Sequence, residues 1–124
     1  MKVLNKSIIL LLIIFASTNS AFSQNYIVYH NKCNAAYPLI DEGNYQLGKQ
    51  LLLDAISIVE TPLSVDYFNL AKCYSQLANS DSTLLYLELS LSQDFRAKAA
   101  LAKHEVWFKP ILGAEEWNNI IKTD

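Results

Sequence analysis

The residues able to do chemistry are few and scattered: two histidines, two cysteines and three glycines in 124 positions. His104-Glu105 opens like the helix of a zinc protease, but the second histidine four residues after the first is missing, so the pair makes no metal site. His30 and His104 are read as surface or structural residues. The three glycines stand at turns and form no phosphate-cradling loop. Ser90 and Ser92 fall inside an apolar, helix-like stretch, without the strand-turn-helix elbow that exposes a hydrolase nucleophile. An enzyme reading is therefore weak, and no cofactor or metal is expected.

These residues have to be held by helices. From Ser64 to Phe95, Tyr67, Leu70, Ala71, Tyr74 and Leu77 recur at steps of three and four, as do Leu84, Leu87 and Leu91, with Leu85 and Leu89 as an apolar flank. Ala78-Asn79-Ser80-Asp81 separates the two runs, and Asn79 or Asp81 can cap the second. The pattern predicts an antiparallel helical hairpin. Upstream, Gln24 to Glu42 and Tyr45 to Val59 form a second pair, broken at Gly43-Asn44 and closed by Pro62.

The first of these hairpins resembles the tetratricopeptide repeat family. Tyr67 stands at the bulky position of the family signature, Leu70-Ala71 at its Leu-Gly pair, Tyr74 at its tyrosine and Leu87 at its second-helix aromatic. Thr83 and Ser90 stand where the family prefers alanine, and Phe95 where it prefers proline. Aligning Asn44 with Asn79 gives a spacing of 35 residues against a family period of about 34. That alignment pairs Ala36 with Ala71, Leu52 with Leu87 and Ala55 with Ser90. Lys32, Leu39 and Gly48 depart from the signature. The implied fold is all-α: two tetratricopeptide-like hairpins, about 29–62 and 64–97, stacked as a short right-handed solenoid. A four-helix bundle of unrelated hairpins is the competing arrangement, because helical period alone does not separate them.

Two repeats leave the last helix uncovered, so residues 98–124 are read as a cap. Ala97 to Ala102 suggests a short helix, Val106-Trp107-Phe108 with Ile111-Leu112 an apolar patch bent by Pro110, and Ala114 to Ile121 a last helix opened by Glu115 and Glu116. Trp107, Phe108, Trp117 and Ile121 are expected to pack over Leu84, Leu85, Leu89 and Leu91.

Residues 1–23 carry Lys2 and Lys6, an apolar run from Ile8 to Ala16, and Ala21-Phe22-Ser23 with small residues flanking a large one. This reads as a secretory signal cut before Gln24, since the run falls short of the roughly 20 apolar residues a membrane span needs. The chain is then exported, periplasmic or secreted, without a stable membrane anchor. Loss of Lys2 and Lys6 changes the net charge from −2 to −4, with 8 basic against 12 acidic residues left in residues 24–124. An acidic chain disfavours nucleic acid, whose phosphates demand a basic face.

In the resembled fold the first helix of each repeat lines a concave face. That implies an apolar strip of Tyr37, Ile40 and Phe68, with Lys72 and Gln76 supplying polar selectivity, for a protein or peptide partner. The alternative is that these side chains finish the core. Family geometry also sets Cys33 and Cys73 at different levels, beyond the reach of an unstrained bridge, so two separate, largely buried thiols are favoured. Three function classes follow: an interaction module of the cell envelope, a small carrier of an apolar ligand held between helices, and a thiol-based redox or metal protein.

Overall fold

The computed structural model describes residues 6–94 and 96–122, with side chains for these apart from 7–22. The apolar core of the expected signal and the position of Phe95 thus lie outside the described side chains. Among the described residues every regular element is helical. In order they are α1 (Lys6–Asp41), α2 (Tyr45–Ile56), α3 (Ser64–Gln76), α4 (Ser80–Gln93), α5 (Arg96–Ala100), a 3-10 turn (Leu101–His104), α6 (Glu105–Leu112) and α7 (Ala114–Ile121). No helix among the described residues is long and apolar enough to cross a membrane.

Consecutive helices pack on one another: α1 on α2, α2 on α3, α3 on α4, with α6 against α3, α4 and α7. The two tight turns share one hydrogen-bond pattern. After α1, Gly43 N–H donates to the Ile40 carbonyl and Asn44 N–H to the Leu39 carbonyl; after α3, Ala78 N–H donates to Ser75 and Asn79 N–H to Tyr74, each 35 positions on. These are the paired bonds with which a left-handed residue closes a helix. Gly43 takes that conformation at φ 86°, and Ala78 takes it at φ 60° although it carries a Cβ. Asn79 also caps α4 by accepting from the Ser82 amide at 3.0 Å. Asn44 holds the equivalent position before α2 but makes no side-chain cap bond.

Two apolar clusters meet on α3. Tyr29, Cys33, Ala36, Ile40, Leu52, Ala55, Leu70 and Cys73 bind the first three helices together, while Ala71, Leu87, Leu101, Phe108 and Trp117 join α3 and α4 to the tail. Leu70 and Ala71 are sequence neighbours serving opposite clusters, so α3 is the partition between them. Thr83 and Ser90, the departures from the alanine pattern, are buried and satisfied: the Thr83 hydroxyl donates to the Asn79 carbonyl at 2.6 Å, and Ser90 and Ser64 exchange hydroxyl-to-carbonyl bonds at 2.9 and 2.8 Å.

Three boundaries differ from the sequence expectation. α1 starts well before Gln24, because Ser17-Thr18-Asn19-Ser20 contains neither glycine nor proline to stop it. α2 ends at Ile56 rather than Val59, where the Ser57 hydroxyl turns back to the Asp54 carbonyl at 2.6 Å and the Ile58 amide tightens onto Ala55. The Ala-rich helix stops at Ala100 and continues as the 3-10 turn.

The covering of α4 also differs. Thr83, Leu87 and Ser90 form its buried stripe, Phe108 and Trp117 join Leu87, and Leu91 packs at the edge. Leu85 is 51% exposed, because it lies on the opposite side of the helix from that stripe. Trp107 and Ile121 pack against the same cluster, and Trp107 also sets its ring edge against Tyr45, 6.1 Å between centroids.

Candidate functional site

The first turn of α3 holds Asp66, 1% exposed and the one buried charged side chain among the described residues. Its two carboxylate oxygens accept from the hydroxyls of Tyr29 and Tyr37, both on α1. The Tyr29 oxygen in turn accepts the Leu63 amide at 2.8 Å. Two hydroxyl donors and the positive end of a helix compensate the lost hydration of the carboxylate. Burial pushes both tyrosine hydroxyls well above their usual range, and Asp66 adds to the effect. The cluster fastens α1 to α3.

Beside it the same helices form a surface. Tyr37, Ile40, Asp41, Val65 and Asn69 line an open depression of about 440 Å³. Val65, Phe68, Ser90, Asp94 and His104 line another of about 230 Å³. Val65 belongs to both and is 51% exposed. An apolar side chain standing between two depressions is the feature a partner can grip.

The five residues of the expected strip fall into different settings. Tyr37 is half-buried and committed through its hydroxyl to Asp66. Ile40 is 3% exposed and forms the floor of the larger depression. Phe68 is half-buried, with the His104 ring 4.8 Å and the Phe108 ring 5.5 Å away, both edge-on. The Lys72 ammonium lies 4.4 Å from the Trp107 ring centroid, so the tail already occupies part of its contact capacity. Gln76 is exposed. Val65, Asn69 and His104 line the same depressions outside the expected strip. Val65 lies three and four residues before Phe68 and Asn69, the spacing of one helix face, and that was the available signal.

Burial lowers the pKa of His104, and the nearby charges of Lys72 and Lys103 lower it further. Its ring is therefore neutral at pH 7. Cys33 and Cys73 are both free and buried, as the helix levels imply. Burial pushes the Cys33 thiol up to about 12, with Asp66 contributing, and the Cys73 thiol up to about 11. No group of three or more metal-ligating side chains occurs among the described residues.

No protein-family pattern, curated protein or solved structure matches this chain.

Proposed function

We propose that the chain is a small exported interaction module: two tetratricopeptide-like repeats with a helical cap, binding a protein or peptide partner of the cell envelope. Support for the repeat reading comes from the turns that match at a 35-residue offset and from the buried pairs Ala36 and Ala71, Leu52 and Leu87, Ala55 and Ser90. The observation that carries the binding reading is Val65, half-exposed between depressions bordered by Tyr37 and Ile40 on one side and Phe68 on the other. The partner's contact is centred there, with Asn69 and Gln76 offering hydrogen bonds along the same helix. The carrier alternative draws less support, because both depressions are open to solvent. Thiol chemistry draws less still, because burial leaves little thiolate at neutral pH.

Val65→Asp tests this directly. The side chain is half-exposed, so melting should hold close to that of the parent chain, while capture of the envelope partner by the mature protein falls at least tenfold. Leu85→Asp, an equally exposed leucine on α4, should leave capture unchanged. Equal capture by the Val65 variant and the parent would move the contact surface elsewhere.

A further inference from the structure

The cut expected before Gln24 falls at a particular place in the fold. Ser23, Gln24 and Asn25 are exposed, and Tyr26 packs against the first apolar cluster. Tyr26 sets its ring edge to Tyr29 at 6.1 Å and its hydroxyl 2.6 Å from Thr61 Oγ1. Cleavage there leaves glutamine as a first residue, with Gln24 and Asn25 both exposed ahead of Tyr26.

An N-terminal glutamine has its own chemistry. An α-amine with a pKa of about 8 is partly neutral near pH 7, and the side-chain carboxamide carbon of the same residue lies at the distance of a five-membered ring. The new amine would also be a positive charge at the start of α1, where the amides already concentrate positive potential.

We propose that Gln24 of the mature chain closes to pyroglutamate. The neutral α-nitrogen attacks the side-chain carbonyl carbon, the new C–N bond forms, the C–NH2 bond breaks, and the nitrogen leaves as ammonia carrying the proton lost from the amine. No oxidant or reductant takes part. The product is a lactam that keeps one N–H and no charge, which removes the unfavourable cation from the helix start and closes the chain to aminopeptidases. Only this register does so, because a cut one residue earlier leaves serine first and a cut one residue later leaves asparagine.

This inference rests on the export reading, and one experiment separates the two. The full chain is produced in a Gram-negative host, recovered from the periplasm or medium, and its intact mass and N-terminal peptide are measured. The expected species is residues 24–124 less one ammonia, and Gln24→Ala should give a cut chain without that loss. A free amine on Gln24, or a different first residue, overturns the lactam while leaving export standing. A chain recovered only at its full uncut mass overturns both.

Discussion

At the scale of single residues, Asp66 and its two tyrosines dominate. A hydrogen bond to a charged group contributes about 1.5–3 kcal/mol. Tyr37→Phe should cost about that much in urea unfolding, and Tyr29→Phe more, about 2–4 kcal/mol, because the Leu63 amide loses its acceptor as well. Tyr37 therefore supports the fold first, and its replacement by alanine is expected to lower the melting temperature together with any effect on binding. A second consequence concerns alkaline pH. Cys33 and Cys73 ordinarily titrate at 9.0 and Tyr29 and Tyr37 at 10.0, and burial raises all four in the fold. Between those ordinary values and the raised ones, the unfolded chain has released protons that the folded chain still holds. The stability contributed by these groups is whole below pH 9 and is lost as pH climbs toward 12. The urea midpoint should be flat from about pH 7 to 8 and fall steadily above about pH 9.5.

Among the elements, the two turns are alike in backbone and unlike in side chain, and this decides what substitutions do. Ala78 adopts a left-handed conformation that costs an L-residue about 1–2 kcal/mol. Ala78→Gly should therefore stabilise by about 0.5–1 kcal/mol after the entropy that glycine adds to the unfolded chain. Asn79→Ala removes a real cap and should cost about 1 kcal/mol, while Asn44→Ala should cost a few tenths at most, as read from thermal midpoints. The helix periods, the glycine and proline breaks and the 35-residue offset were legible because they are local. Gly48 was legible only as a departure. Its reason lies in contact: a Cβ there would come within 2.7 Å of Ile40 Cγ1. The second hairpin has Ser75 and Thr83 at the positions 35 residues on, so one hairpin sets a large residue beside none and the other carries two of middling size there. No single helix read alone reveals that exchange of volume.

For the molecule as a whole, the tail is part of the core. Phe108 and Trp117 are fully buried with Ala71, Leu87 and Leu101, and their rings stack at 6.1 Å. Trp117→Ala should cost about 3–5 kcal/mol and shift the whole denaturation curve, because the cavity opens against α3, which both clusters share. The sequence indicated that aromatic residues of the tail cover the second hairpin. Of the leucines expected to meet them, Leu91 packs against the cluster, whereas Leu87 sits at its centre and Leu85 faces outward, since the angle of approach depends on how the 3-10 turn reorients the chain after Ala100. The candidate surface was legible for the same reason and to the same extent: Tyr37, Ile40 and Phe68 do border it, but Val65 at its centre and His104 at its rim follow from how α3 and the tail are set against each other.

Tyr29 and Tyr37 reach one carboxylate from positions two turns apart, about 12 Å along a single helix. Sliding α1 lengthwise in either direction must stretch at least one of those bonds, so the pair works as a latch against axial drift. Pulled from its amino end, this helix should hold until both hydroxyls let go and then release in one step, giving a sharp rupture in a force trace and no gradual creep.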